Sequence, residues 1–202
     1  MTYAEVYKAW QDDPEHFWMD QAKAIDWDRP PSKALFDENA PLYEWFSDGM
    51  TNTCWNAVDR HVPTRGDQAA IIYDSPITDT KYSITYKELQ SRVALLAGVL
   101  KAKGITKGDR VIIYMPMVPE AIIAMLATTR IGAIHPVVFG GFAANELAVR
   151  IDDAKPKAIL SASCGIEPGR IVAYKPLLDG AIDLAHHKPD FTLILQREQC
   201  PC

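Results

Sequence analysis

Two adjacent glycines, Gly140 and Gly141, stand between an apolar run and a stretch with helical spacing. A strand that feeds a helix through paired glycines leaves backbone N–H groups free at the helix start. The missing side chains also let another molecule lie close against the backbone. The same residues equally make an ordinary strand-to-helix turn. A glycine pair is far less specific than a full phosphate-loop pattern, which these residues do not contain. Basic residues follow closely: Arg150, Lys155, Lys157, Arg170 and Lys175. Arg170 closes Gly165-Ile-Glu-Pro-Gly-Arg170, read as a loop after a strand. An arginine there can grip a phosphate in forked geometry or stand as a solvated surface charge.

Other reactive residue types form no constellation. The histidines (16, 61, 135, 186, 187) are scattered, and His135, inside the strand before the glycines, reads as a packed, satisfied side chain. There is no serine nucleophile elbow, no His-Glu-x-x-His and no Cys-x-x-Cys. Cys164 follows a strand, where a nucleophile could sit, but a small buried thiol is the favoured reading. Cys200-Pro-Cys202 supplies two thiolates where a metal needs about four ligands. No catalytic or metal-ligating residue is assigned.

The elements that would position these residues follow from periodicity. Tyr3, Val6, Tyr7 and Trp10 recur at helical spacing. Asp13-Pro14 then caps and starts a second helix through Phe17, Ala22 and Ile25. Pro41–Phe46 reads as a helical turn, and the dense aromatics before residue 50 read as anchors. Asn56–Val62 is expected as a short helix, and 68–73 and 81–85 as a hairpin with a long loop. Thr85-Tyr-Lys-Glu88 is a capping box. Behind it, Leu89, Val93, Leu96 and Leu100 make an apolar stripe that Gly104 ends. Strands follow at 110–116, 134–139, 157–162 and 191–196, with helices at 119–130, 143–154 and 174–186 between them. This alternation predicts an α/β fold: a mostly parallel sheet with helices on both faces, preceded by a helical N-terminal extension. Ligands of such sheets gather at the carboxyl ends of the strands. The chain stops just past a predicted strand, so it is expected to be part of something longer.

Composition excludes several classes. At 202 residues, 48% hydrophobic and 23% charged, the chain can bury a sizeable core. A net charge of −5 argues against a general nucleic-acid binder. Residues 1–50 hold eleven acidic and four basic side chains, so an anionic ligand sits better later in the chain. No apolar run reaches the roughly twenty residues that span a bilayer. The start has no secretory signal and lacks the arginines of a mitochondrial transit peptide, so a cytoplasmic location and reduced thiols are expected.

Asp109-Arg-Val-Ile-Ile-Tyr-Met-Pro-Met-Val-Pro-Glu-Ala121 and Arg130-Ile-Gly-Ala-Ile-His-Pro-Val-Val-Phe-Gly-Gly-Phe142 resemble the N-terminal part of short-chain acyl-CoA synthetases. These are AMP-forming ligases of the acetate–CoA and propionate–CoA type, within the adenylate-forming superfamily. Tyr73-Asp-Ser-Pro76, Ser161–Arg170 and Tyr174-Lys-Pro-Leu-Leu178 are closer to the propionate branch. The resemblance covers essentially the whole chain. It implies an N-terminal extension over 1–61 and the first, truncated part of an AMP-binding adenylating domain over 62–202.

The resemblance implies ATP, coenzyme A and Mg²⁺ as cofactors, with a small carboxylate, propionate or acetate, as substrate. Gly140 and Gly141 would line the pantetheine passage, and Arg170 matches an arginine near the CoA nucleotide. Glu167 stands where the acetate branch has a second arginine, so that clamp is absent or rebuilt. The family's phosphate loop, acyl pocket and catalytic lysine lie downstream, so ATP and Mg²⁺ sites fall outside this chain and the 202 residues alone are expected to be inactive. Two other readings are a free-standing CoA- or nucleotide-binding module, and a truncated paralogue without catalysis. No membrane partner is expected, and oligomeric state is not legible.

Overall fold

The computed structural model describes residues 2–202. Its contacts divide into two compact units, one ending at Asn52 and the other running from Thr53 to Cys202.

In the first unit, Tyr3–Asp12 (α1) and Pro14–Ala22 (α2) form the expected helix pair. Thr2 and Glu5 make a reciprocal capping box on α1. Asp13 caps α2 by accepting from the His16 N–H at 3.0 Å, with Pro14 at the helix start. Pro41–Phe46, expected as a helical turn, is not helical: within it Glu44–Trp45 (β2) pairs antiparallel with Leu35–Phe36 (β1). One turn is too short to nucleate alone, and aromatic residues suit a pleated ribbon. The aromatics pack on one another, with Trp18 edge-on to Trp45 at 5.6 Å and Trp27 5.9 Å from Phe46.

The second unit opens with three short pieces where one helix was expected: Thr53–Ala57 (α3), a 3₁₀ turn Asp59–His61, and Val62–Arg65 (α4). Pro63 has no N–H to continue the preceding turn but suits a helix start. Ala69–Ser75 (β3) and Thr80–Thr85 (β4) pair antiparallel, and their loop is only four residues long, not the long one expected. Tyr86–Ala102 (α5) follows with the expected Thr85–Glu88 capping box. Its buried stripe is Leu89, Val93, Ala97 and Leu100, and Gly104, at φ +88°, ends it.

Val111–Met115 (β5), Pro119–Arg130 (α6), Val137–Phe139 (β6), Ala144–Ala154 (α7) and Ala158–Ala162 (β7) then alternate as predicted. β6 is shorter than expected because Pro136 cannot donate to the ladder. The line continues backward as a bridge between Arg110 and Ile134. Cys164–Glu167 (β8) and Arg170–Ala173 (β9) form an unexpected hairpin where a loop was predicted, turning at Gly169 with φ +78°. Tyr174–Leu184 (α8) and Phe191–Leu195 (β10) complete the unit.

The central sheet is parallel throughout, in the order β10-β7-β5-β6. Successive side chains of β5 enter opposite cores. Val111 and Ile113 pack with α5 and α6 residues such as Val93 and Ala127, whereas Ile112 and Tyr114 pack with Leu147 of α7 and Leu178 of α8. Helices therefore cover both faces, and a strand buried on both faces must be apolar throughout, which is why Val111–Met115 shows no polar alternation. Fully burying each such side chain contributes about 1.5–3 kcal/mol.

Candidate functional site

A cavity of about 530 Å³ lies at the carboxyl ends of β5 and β6. Its walls are Met115–Val118 at the end of β5, Val137–Gly141, Tyr73–Thr78 at the end of β3 and its turn, Ile166 and Glu167 of β8, Tyr174 of α8 and Arg197 after β10. This is the end of a parallel sheet where diverging loops leave room for a ligand. The wall is largely apolar, with Met117 90% and Phe139 68% exposed.

Gly140 and Gly141 both line this cavity, as the residue pattern suggested. Neither has a positive φ, so their backbone conformation does not itself require glycine. What requires it is proximity. A Cβ on Gly140 would stand 2.6 Å from the Tyr174 hydroxyl and 2.9 Å from the Met115 carbonyl oxygen; one on Gly141 would meet the Phe139 ring at 2.6 Å. Gly165, on β8, faces the same phenol, with the ring carbons 2.7 Å from its would-be Cβ. Two glycines thus frame one tyrosine. The Tyr174 ring lies 5.1 Å from that of Tyr114, whose hydroxyl donates to the Phe142 carbonyl at 2.9 Å. That bond ties the chain just past the glycine turn to the centre of the sheet. Burial, helped by Tyr174, pushes the Tyr114 hydroxyl up to about 12. Burial raises Tyr174 too, Glu167 adding to the effect and Arg197 opposing it. Both phenols are therefore neutral donors at ordinary pH.

The five basic residues after the glycines do not converge. Arg170 lies at the start of β9, 70% exposed, and pairs with Glu167 across the hairpin at 2.6 Å. Arg150 pairs with Glu146 at 3.2 Å and stacks over Phe142 at 4.7 Å. Lys157 bonds Asp109 and Lys175 bonds Asp179. Lys155 is the left-handed cap of α7. The cavity cation is instead Arg197, which follows β10. Its Nη1 donates to the Cys164 carbonyl at 3.1 Å, and its backbone N–H to the buried Ser163 hydroxyl at 2.9 Å. Nothing in the local pattern of Arg197 marks it; only the parallel pairing of β10 with β7 carries it to the cavity. Tyr174 was legible as a helix start but not as a wall residue.

Cys164 is fully buried, which fits packing. The Nδ1 of His135 is also buried but has no hydrogen-bond partner, so the expectation of a satisfied histidine does not hold there. Among the described residues, no group of three or more His, Cys, Asp or Glu is placed to hold a metal ion.

Residues 58–198 match the family profile described as AMP-binding enzyme, and residues 3–57 match that of the acetyl-coenzyme A synthetase N-terminus. The chain belongs to the AMP-forming short-chain acyl-CoA synthetases. It is 55% identical, over 92% of its length, to the acyl-CoA synthetase short-chain family member 3, mitochondrial, of Rattus norvegicus, and 53% identical over 96% to that of Homo sapiens. To the propionate–CoA ligase of Escherichia coli (strain K12) it is 45% identical over 98% of its length. The chain spans 27%, 29% and 31% of these three relatives. Both the glycine-framed tyrosine and the cavity lie inside the stretch that matches the AMP-binding profile. No helix of the described residues is long and apolar enough to cross a membrane.

Proposed function

We propose that these residues form the thiol-substrate side of an ATP-dependent, AMP-forming ligase that joins propionate, or acetate, to coenzyme A. In that reaction the carboxylate attacks the α-phosphorus of ATP, releasing pyrophosphate, and the thiol then attacks the acyl carbonyl, releasing AMP. The observation that carries the reading is the cavity at the carboxyl ends of β5 and β6, walled by Gly140 and Gly141. Its residues fit a pantetheine arm: apolar side chains at Met115, Val118 and Phe139, and an exposed Gly141. Gly140 leaves room for Tyr174 and the Met115 carbonyl, and Gly141 for the Phe139 ring, so at these two positions the arm meets backbone rather than side chain.

Residues 1–61 are the N-terminal extension and 62–202 the first part of the adenylating domain; the two profile matches, meeting at 57 and 58, support that order. Propionate is preferred over acetate as the acid because a relative named for it is similar along 98% of this chain. Among the described residues no cluster of three carboxylate, histidine or cysteine side chains stands ready for Mg²⁺. The chain acts in the cytoplasm and, taken alone, makes no acyl-CoA, because the groups expected to hold the triphosphate and the carboxylate in line lie outside it.

Hydrogen-exchange mass spectrometry of the chain with and without coenzyme A tests the reading. Protection is expected at Phe139–Phe142 and in the segment after Met115. Saturation with coenzyme A that leaves both segments unprotected would refute it.

A further inference from the structure

Tyr114 alone among the residues of β5 carries a hydroxyl. Its side chain is wholly buried, packed with Leu147 of α7 and Leu178 of α8. A phenylalanine would fill the same space, and burying a hydroxyl costs free energy unless it is bonded. The bond it makes, 2.9 Å to the Phe142 carbonyl, runs from the central sheet to the far side of the glycine turn. The turn needs such a tie. Gly140 and Gly141 have more backbone freedom to lose than any other residue type. Within the turn, the Phe142 N–H reaches the Phe139 carbonyl at 3.2 Å, the long end of the range. Just beyond, Ala143 is the N-cap of α7, at φ −66° and ψ 162°, and alanine has no oxygen with which to fix the helix start. The Tyr114 ring also backs Tyr174 at 5.1 Å, and Tyr174 in turn stands behind Gly140.

We infer that Tyr114 is a positioning residue for the thiol substrate: by holding the Phe142 carbonyl, its hydroxyl fixes Gly140 and Gly141 as the wall against which coenzyme A lies. The inference rests on the reading of this cavity as the coenzyme A side of the site. Tyr114 is not among the residues that line the cavity, so it acts through the turn and not by contact with the ligand. Without the hydroxyl, the two glycines sample other conformations. The ligand then finds its wall formed only part of the time, and apparent affinity falls by that fraction.

The test compares wild type, Tyr114→Phe, Tyr114→Phe combined with Ala143→Ser, and Ile112→Val. Each is followed by thermal unfolding, by hydrogen-exchange mass spectrometry without ligand, and by calorimetric titration with coenzyme A. Ala143→Ser supplies a capping oxygen and, with Glu146, a capping box that pins the end of the turn by another route. Ile112→Val removes one methylene from the same core, so it lowers stability without touching the bond. In Tyr114→Phe, residues 139–147 should exchange about threefold to tenfold faster while β5 and β7 do not change, and coenzyme A affinity should fall by a similar factor. The added serine should bring affinity back to within about twofold of wild type, and Ile112→Val should leave both readings within about twofold. Unchanged exchange in Tyr114→Phe, or faster exchange with unchanged affinity, overturns the positioning role and leaves the coenzyme A reading intact. An equal loss of affinity in Ile112→Val overturns it too, because it reduces Tyr114 to core packing. A wild-type chain that does not bind coenzyme A overturns the coenzyme A reading, and the inference falls with it.

Discussion

Gly140 and Gly165 approach Tyr174 from two sides, and the consequence is sharpest at Gly165. An alanine there places its methyl 2.7 Å from the ring, against a phenol that Tyr114 backs at 5.1 Å and that is only 6% exposed. Overpacking of a core of this kind costs about 1–3 kcal/mol, because side chains are forced off their rotamers and the backbone shifts. Gly165→Ala should lower the denaturation midpoint accordingly, and Tyr174→Leu in the same chain should recover much of the loss. A double-mutant cycle in urea measures this, and strictly additive losses would show that the ring is not the obstacle. The same geometry explains what the residue pattern conveyed and what it did not. A glycine pair after an apolar run signals close approach, but not of what; the nearest neighbour here is the protein's own tyrosine, 34 residues later than Gly140. Arg170 was legible as a cation on the ligand side. Its partner Glu167, three residues earlier, was visible too, but only the hairpin turn at Gly169 brings the two together.

Between elements, the tightest polar tie joins the 3₁₀ turn to α6. Arg130 reaches Asp59 through two bonds of 2.7 and 2.9 Å, and Gln90 of α5 adds a third at 2.8 Å. Asp59 is 5% exposed, and Cys54, fully buried, touches both charged partners. Burial alone would raise the Asp59 carboxyl, but the bonds from Arg130 and Gln90 and the Arg130 charge together hold it below the ordinary value. A carboxyl lowered by folding adds stability that is complete above its unfolded value, about 4, and is lost as pH falls through the folded value. Arg130→Met leaves Asp59 buried without its guanidinium, so burial prevails and the sign reverses. The variant should lose about 3 kcal/mol at pH 7, and the difference from wild type should shrink below about pH 4, where Asp59 takes up a proton. Urea unfolding at the two pH values tests this, and a difference independent of pH counts against it. This tie was not legible, since Asp59 and Arg130 lie 71 residues apart. The helices it joins were: the Thr85–Glu88 box and Pro119 at the start of α6 are local signals that survive in the fold. The β8–β9 hairpin left no such signal, because four-residue strands are too short for alternation to stand out from a loop.

On the scale of the molecule, both hydrophobic clusters are drawn wholly from the unit that starts at Thr53, running from Cys54 to Ile194. The chain from Thr53 onward should therefore unfold cooperatively when residues 1–52 are removed; a broad, non-cooperative thermal transition would show that the first unit is needed for that core. Its sheet ends on two strands, β10 and β6, that are each paired on one side only. β6 is the more hazardous. It is short, but Val137 is 52% and Phe139 68% exposed, and Ile134 just before it 53%. A row of unpaired backbone groups flanked by exposed apolar side chains is a template for another strand. The apolar run 134–139 that announced this strand in the sequence could not announce its exposure, because a central and an edge strand of a parallel sheet read alike until the strand order is known. The chain should self-associate through this edge at micromolar concentrations. Val137→Lys, which places a charge on the edge without entering either core cluster, should reduce that association while leaving the unfolding free energy of the monomer within about 0.5 kcal/mol of wild type. Sedimentation velocity across a concentration series reads the effect, and association unchanged by the lysine would move the contact to another face.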